Sequence, residues 1–181
     1  TITATASNGK KDTCKVVVSY NGTVIVNTAK QYLKYTGKQL YTTIGGEGEW
    51  CSLFACYCYN QNGALGAGKP IRQIEWNVGN FRRNGYVNFR DNTEGNKYKY
   101  FPKTGDLIMF KRVLNKREVD INGHVGIVVS YNSKTGDLVT IEGNVSRSGI
   151  GDDGRDNNIV DYRYYKIYDN SITGFLSLNN N

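Results

Sequence analysis

The sequence of 181 residues lacks several features that mark particular classes of protein. It has no run of about 18 apolar residues, so we expect no membrane-spanning helix. It has a single histidine, His124, so its cysteines lack the neighbouring histidines of the usual zinc-binding spacings. Its first residues, TITATAS, lack the basic and apolar segments of a signal peptide, and we expect the chain to be an excised piece of a longer protein.

The overall composition is that of a soluble domain with a real core. Hydrophobic residues make up 39% of the chain and charged residues 22%, and the length suits one domain with a little left over. The formal net charge of +7 favours polyanionic partners: nucleic acid, an anionic membrane, or the anionic polymers of a Gram-positive cell wall. Charge alone does not choose among these partners, and a positive charge also serves solubility by itself.

Residues 45–63, GGEGEWCSLFACYCYNQNG, predict a glycine-rich turn that runs into a helix. Cys51 lies at the start of this helix, where unpaired N–H groups and the helix dipole favour the thiolate, the nucleophilic form of cysteine. The structural alternative is a buried cysteine that only fills space, as most free cysteines do. The apolar residues at helical spacing predict one buried stripe: Trp50, Leu53, Phe54, Tyr57 and Cys58.

We expect no disulfide framework from Cys51, Cys56 and Cys58. Within one helix, Cys51 and Cys58 would lie about 10 Å apart along the axis, which is too far for a disulfide. Cys56 and Cys58 point to different sides of the same helix. Apart from the distant Cys14, we therefore expect one reactive thiol at position 51 and two packed thiols.

The second half of the chain is rich in β-forming residues. His124 directly follows a glycine and opens such a run, which suits a strand end facing a cleft, although a lone histidine is more often structural. Glu142 and Asn144 are two residues apart and would share one face of a strand. Helices followed by strands predict an α+β domain with an antiparallel sheet. We expect the strands at 105–113, 123–131, 137–144, 159–168 and 173–178.

These segments supply the groups that cysteine hydrolases combine: a nucleophile, a base and a group that orients the base. Cys51 would attack an amide carbonyl after His124 takes its proton or holds it in an ion pair. Glu142 or Asn144 would orient the imidazole, and water activated by His124 would hydrolyse the thioester. The backbone N–H of Cys51 is the expected oxyanion donor, and such a donor is worth about 3 kcal/mol.

Four motifs in this order, WCSLFACYC, PKTGDLIMF, GHVGIVV and TIEGN, resemble the CHAP domain, the cysteine, histidine-dependent amidohydrolase/peptidase family. The resemblance covers roughly residues 24–178. It implies a papain-like α+β fold, with N-terminal helices packed on an antiparallel sheet, and no cofactor. Carried over by position, it implies Cys51 as the nucleophile, His124 as the general base, Glu142 as the orienting residue and Asn144 as a further polar residue of the site.

Residues 1–20 fall outside this resemblance and are the first of two expected units, 1–20 and 21–181. Alternating apolar residues on either side of the Asn8-Gly9 turn predict a β-hairpin. The run ITATASNGKKDTCKVVV resembles the last hairpin of a bacterial immunoglobulin-like domain, group 2. Two strands cannot complete such a sandwich, so we expect a remnant; a hairpin native to the hydrolase domain is the alternative.

The residues around the nucleophile helix predict further helices and a loop. We expect a helix over 21–36 that stops at Gly37, and then a loop over 38–49. Apolar residues at helical spacing also predict a surface helix over 70–84.

No calcium site is expected, although many CHAP domains bind calcium through aspartates just before the nucleophile. The corresponding loop here, KQLYTTIGGEGE, has no aspartate, and two glutamates make a poor cage for an ion that takes six to eight oxygens. A second loop contains Asp152, Asp153 and Asp156 but lacks the terminal glutamate of an EF-hand. We expect that loop to be solvated.

Residues 85–106 interleave basic and aromatic side chains. The plainest interpretation is a short strand and its loop, with the aromatic rings partly buried. Contact with sugar faces is the second interpretation. Stacking on nucleic-acid bases ranks well behind, because no nucleic-acid-binding motif accompanies the segment, and we expect no nucleic-acid partner.

The resemblance implies peptidoglycan as the substrate and a secreted or cell-surface location, with the domain acting as a monomer. The motifs do not separate an endopeptidase from an N-acetylmuramoyl-L-alanine amidase, because specificity resides in loops such as 64–69 and 86–103. Between the two, we favour the endopeptidase slightly. Two alternatives from other classes stay open. One is a non-catalytic wall-binding surface module, and the other is a cysteine hydrolase of non-wall amides.

Overall fold

The computed structural model describes residues 2–14, 21–45, 50–61, 89–91, 100–115, 118–147 and 157–176. The predicted helix over 70–84 and the three aspartates of the predicted solvated loop lie outside these residues. The helices are α1 (Gly22–Lys30), α2 (Gly37–Ile44) and α3 (Trp50–Asn60). The strands are β1 (Ile2–Thr5), β2 (Lys11–Cys14), β3 (Phe89–Asp91), β4 (Leu107–Asn115), β5 (Glu118–Tyr131), β6 (Asp137–Val145), β7 (Ile159–Lys166) and β8 (Ile172–Leu176).

Six of the strands form one sheet, in the order β3-β8-β4-β5-β6-β7. Every neighbouring pair in this sheet is antiparallel. Helices α1 and α3 pack on the sheet, and α2 packs against α3, which confirms the predicted α+β class. Strands β4 to β8 occupy the five segments where strands were predicted. Strand β5 begins earlier than predicted, at Glu118, because its first residues pair with the far end of β4.

The pairing register gives the sheet an apolar helix side and a second, mixed side. Residues directly opposite each other in an antiparallel pair lie on the same face. Leu107 and Ile127 are one such pair, and they belong to the core shared with the helices. Phe110 lies opposite His124 on the other face. That second face also has its own apolar core, formed by Ile108, Phe110, Val128, Leu138, Ile167, Ile172 and Phe175.

Two short helices precede α3, so the prediction of one helix over 21–36 followed by a loop is wrong. Lys34 has φ 69°, a left-handed conformation that ends the turn after α1. Gly37 then begins α2 instead of stopping a helix. Thr36 caps α2: its side chain accepts the Gln39 N–H, and the Gln39 side chain accepts the Thr36 N–H. This capping box, T-x-x-Q, was readable in the sequence.

Helix α3 begins at Trp50, one residue before Cys51, as the turn-to-helix pattern predicted. Helix α3 packs into the core as its apolar spacing predicted: Trp50, Phe54 and Cys58 are buried, and Leu53 and Tyr57 are partly buried against the same cluster. Cys56 is buried as expected of a packed thiol, and Tyr59 is buried as well. Helix α3 contacts α1, α2, β5 and β6, so its buried surface is wider than the predicted stripe. The fully buried or nearly buried residues of α3 are Trp50, Ser52, Phe54, Ala55, Cys56, Cys58 and Tyr59.

The N-terminal hairpin is present as predicted. Strands β1 and β2 pair antiparallel on either side of the turn at 7–9 and form a separate two-stranded sheet. The side chains of residues 3–14 are all exposed. Whether this hairpin belongs to an immunoglobulin-like domain stays a prediction. Across the residues described, no helix combines the length and the apolar character needed to cross a membrane.

Candidate active site

Cys51 lies in the first turn of α3, where backbone N–H groups have no partner within the helix. Trp50 and Phe54 hold this end of the helix against strand β6 at Gly143. A Cβ at Gly143 would lie 2.8 Å from Trp50 Cζ3 and 3.0 Å from Phe54 Cβ, so only glycine permits this approach. The glycine of the EGN motif therefore places the helix carrying Cys51 directly on the strand carrying Glu142.

His124 on β5 is bonded to Glu142 on β6. The distance between His124 Nε2 and Glu142 Oε2 is 2.7 Å, and the Glu142 side chain is only 1% exposed. Gly126 lies opposite Glu142 in the sheet, and a Cβ there would lie 2.7 Å from Glu142 Cγ. The second glycine of the GHVG motif thus leaves the space through which Glu142 reaches the imidazole.

The His124 ring and the Cys51 thiol also influence each other, and each changes the pKa of the other. Because Glu142 bonds Nε2, Nδ1 is the ring nitrogen left for Cys51. Burial raises the pKa of the Cys51 thiol, but the hydrogen bond and charge of His124, and the N–H groups of Val125 and Ser52, hold that pKa below its usual value. Burial lowers the pKa of His124, but its bonds with Cys51 and Glu142 raise it to about 10. These opposite shifts favour a thiolate–imidazolium pair.

Two residues that sequence reasoning missed complete the surroundings of Glu142. Thr140 Oγ1 donates to Glu142 Oε1 at 2.5 Å, and the Tyr165 hydroxyl donates to Oε2 at 3.3 Å. Burial, followed by the charge of Glu142, raises the pKa of Tyr165 well above its usual value, so this hydroxyl stays a neutral donor. Thr140 was detectable, since it precedes Glu142 by two residues on one strand face. Tyr165 was not, because its position depends on the register between β6 and β7.

Asn144 does not continue the strand alternation that predicted a face shared with Glu142. Its φ is 60°, and the register between β6 and β7 shifts between Glu142 and Val145. Asparagine tolerates this left-handed conformation better than most residues. Asn144 Oδ1 accepts a hydrogen bond from Asn158 Nδ2 at 2.9 Å. Asn144 and Glu142 nevertheless line the same cavity beside His124.

The metal prediction concerns residues that are only partly described. The expected calcium-free loop includes residues 46–49, which lie outside the described part of the chain. Within the described ranges, no group of three or more His, Cys, Asp or Glu residues could hold a metal ion. The absence of calcium from the loop therefore stays a prediction. Cys14, Cys51, Cys56 and Cys58 are all free thiols; Cys14 is exposed, Cys51 half-buried and the other two buried.

Comparison with known protein families gives one match. A family model, the CHAP domain, matches residues 43–144, which is more than half of the chain. No curated protein and no solved structure matches the chain. The matched segment contains Cys51, His124, Glu142 and Asn144, and CHAP domains are hydrolases of the amidohydrolase/peptidase type that act on peptidoglycan. The chain therefore belongs to the CHAP domain family.

Proposed function

We propose that this chain cleaves an amide bond of peptidoglycan through a thioester on Cys51, and that it is an endopeptidase. The observation that carries the proposal is the His124 ring, whose Nε2 lies 2.7 Å from Glu142 Oε2 and whose hydrogen bond and charge lower the pKa of Cys51. One helix and two strands supply these three groups, which we assign as nucleophile, base and orienting acid. Cys51 is half-buried, whereas the other two cysteines of the helix, Cys56 and Cys58, are buried.

In the first half of the proposed reaction, the Cys51 thiolate attacks the amide carbonyl carbon. The carbonyl oxygen becomes an oxyanion next to the N–H of Cys51 at the start of α3. His124 donates the proton on Nδ1 to the leaving amine, the C–N bond breaks, and a thioester remains. Glu142 keeps the other ring nitrogen protonated and holds the ring orientation throughout.

In the second half, water replaces the amine beside His124. The neutral imidazole takes a proton from the water as its oxygen attacks the thioester carbon. Collapse of the intermediate breaks the C–S bond and releases a carboxylic acid. The Cys51 thiolate is regenerated beside a protonated His124, which is the state that the pKa shifts of the two groups favour.

The alternatives to this proposal concern which bond of the wall is cleaved and whether the chain is a catalyst at all. An N-acetylmuramoyl-L-alanine amidase would use the same groups, and loops 64–69 and 86–103, which would separate the two, lie mostly outside the described residues. The paired pKa shifts of Cys51 and His124 argue against a module that only binds the wall, since binding alone requires no activated thiol. Action at the cell surface as a monomer is part of this proposal.

The test is a digest of purified peptidoglycan by the chain and by its Cys51→Ala variant, with products identified by mass spectrometry. Fragments released only by the intact chain support the proposal, and their new ends identify an endopeptidase or an amidase. Addition of EDTA should leave the yield unchanged, because no calcium is expected in the loop before Cys51. Release of equal fragments by both proteins would contradict the assignment of Cys51 as the nucleophile. No release from any type of wall would favour the binding module or a non-wall substrate.

A further inference from the structure

A cavity of about 280 Å³ lies beside His124 on the mixed side of the sheet. Its wall includes His124, Glu142, Lys111 and Arg163, but not Cys51. Pockets for drug-sized ligands measure roughly 300–1,000 Å³. The cavity therefore suits a smaller group, on the scale of a single amino-acid residue.

The cavity wall carries excess positive charge. Lys111 and Arg163 are the cations, besides a protonated His124. Glu142 is the one carboxylate among the described residues that line the cavity, and its oxygens already bond His124, Thr140 and Tyr165. A second carboxylate, arriving with a ligand, would thus meet two cations, of which Arg163 has one other acid nearby, Asp161 at 3.8 Å.

The Arg163 guanidinium is held in place and still has donors to offer. One terminal nitrogen donates to Tyr162 O at 2.9 Å, and the other donates to Ser146 O at 2.5 Å. Its contact with Asp161 is long, at 3.8 Å. A guanidinium has five N–H groups, so three remain beyond the two that these carbonyls accept. A fixed guanidinium with free N–H groups matches the planar geometry of a carboxylate.

Lys111 adds a cation that the described part of the chain does not neutralise. Its backbone N–H donates to Ser171 O, and its half-buried side chain makes no ion pair with any described residue. A charge at the wall of a cavity is less screened by salt than one on the open surface. Lys111 therefore strengthens the attraction of the cavity for an anion.

The position of the cavity relative to His124 and Cys51 indicates which part of the substrate reaches it. In the proposed reaction His124 protonates the leaving amine, so the amine-side fragment lies toward His124 and away from Cys51. The cavity borders His124 and not Cys51. It therefore receives the amine-side fragment, within a residue or so of the cleaved bond.

We propose that this cavity is a subsite for a carboxylate on the amine-side fragment of the wall peptide, with Arg163 and Lys111 as the residues that select it. The proposal rests on the proposed function, because the direction of the fragment follows from the role of His124. The carboxylate can be the end of the peptide chain or a carboxylate within it. Amidation of either one changes its charge but little of its shape.

The kinetic test uses synthetic wall peptides that contain the cleaved bond, in acid and amide pairs. One pair differs at the terminal carboxylate and the other at an internal one. We expect about a tenfold or larger advantage in kcat/KM for the acid in one pair, and that pair identifies the source. In Arg163→Gln and in Lys111→Gln the acid-to-amide ratio should fall toward one. Lys134→Gln, in the exposed turn between β5 and β6, should keep the ratio.

Equal rates for acid and amide in both pairs would overturn the subsite while leaving the proposed function intact. So would a ratio that survives in both Arg163→Gln and Lys111→Gln. The second variant matters because Arg163 also bonds two backbone carbonyls, and its loss could disturb folding.

A binding test separates failure of the subsite from failure of the proposed function. The Cys51→Ala protein is titrated calorimetrically with the same acid and amide peptides, so no turnover is needed. Tighter binding of the acid by about tenfold, lost in Cys51→Ala/Arg163→Gln, supports the subsite even if the intact chain hydrolyses no wall peptide. Equal affinity for acid and amide overturns it.

Discussion

The two ends of α3 carry the same residue in two chemical states. Cys51 lies in its first turn and Cys58 two turns later, on one continuous helix. The pKa of Cys51 is held below the usual value of a thiol. Burial raises the pKa of Cys58 well above that value, and the neighbouring Cys56 raises it further. One thiol is therefore prepared to be a nucleophile, and the other is an inert part of the core.

Burial does not explain this difference, because it raises the pKa of both thiols. The difference lies in the partners. His124 bonds Cys51 from β5, and the N–H groups of Ser52 and Val125 also stabilise its thiolate. Cys58 belongs to the hydrophobic core and is 0% exposed, and the neighbouring Cys56 raises its pKa instead of lowering it. The reactivity of Cys51 therefore depends on what the sheet brings to the helix, and not on the helix alone.

The largest expected effect comes from replacing each of the two compared cysteines in turn. Cys51→Ala should lower the rate of wall hydrolysis by at least about 10³-fold, because the nucleophile is gone. Cys58→Ala should keep the rate within a few-fold but lower the free energy of unfolding by about 1 kcal/mol, because a buried group is lost. Turbidity loss of wall suspensions gives the rates, and urea denaturation gives the stability. An active Cys51→Ala, or an inactive but stably folded Cys58→Ala, would contradict the contrast.

The contrast was only partly predictable from the sequence. The glycine-rich turn before Cys51 predicted a helix start there, and the β-run after Gly123 predicted the strand of His124. The orientation of the partners was not predictable. It depends on Gly126 and Gly143, whose missing Cβ atoms leave space for Glu142 and for Trp50. Such requirements are tertiary and leave no periodicity in the chain.

Errors in the sequence-based predictions have similar physical causes. Gly37 predicts a helix stop, but the capping box of Thr36 and Gln39 makes it the first residue of α2. The apolar spacing of α3 predicts a narrower buried surface than the structure shows, because periodicity does not reveal contacts with several neighbouring elements. Strand alternation predicts one face for Glu142 and Asn144, but the left-handed backbone of Asn144 breaks that alternation.

Removal of the acid behind His124 should give the second-largest effect. Glu142→Gln removes the charge and weakens the bond that raise the pKa of His124 to about 10. The protonated imidazole is the proton donor to the leaving amine, so activity falls as pH rises through the pKa of His124. A lower pKa moves this alkaline limb to lower pH, and kcat/KM should fall about 10²-fold at neutral pH.

The measurement for Glu142→Gln is the pH profile of kcat/KM for both proteins. If the variant only disturbed the structure, kcat/KM would fall at every pH and the alkaline limb would stay at the same pH. Glu142→Asp is the matched control, since aspartate keeps the negative charge on a shorter side chain. In this variant the alkaline limb should lie between its positions in Glu142→Gln and in the unchanged protein. An unmoved limb in Glu142→Gln would contradict the role assigned to this carboxylate.

Alkylation sharpens the comparison between cysteines within one molecule. With iodoacetamide at pH 6–7, Cys51 should react about tenfold faster than the exposed Cys14, because its lowered pKa keeps it a thiolate as pH falls. Cys58 should not react in the folded protein. In His124→Gln the advantage of Cys51 should disappear, since the bond and charge that lower its pKa are lost. Peptide mapping by mass spectrometry gives each rate, and an unchanged Cys51 rate in His124→Gln would contradict the ion pair.

The smallest expected effect concerns the two hydroxyl groups that donate hydrogen bonds to Glu142. Tyr165→Phe removes a long hydrogen bond, 3.3 Å, to Glu142 Oε2, whereas Thr140→Val removes a short one, 2.5 Å, to Oε1. Both hydroxyls stabilise the charged carboxylate that stabilises protonated His124. We expect about a threefold loss of kcat/KM for Tyr165→Phe and a larger loss for Thr140→Val, because a short bond to a buried charge contributes more. The alkaline limb should shift in the same order. A larger shift for Tyr165→Phe would contradict this order. It would mean that a hydrogen bond to Oε2, the oxygen that bonds His124, affects the pKa of the imidazole more than a shorter bond to Oε1 does.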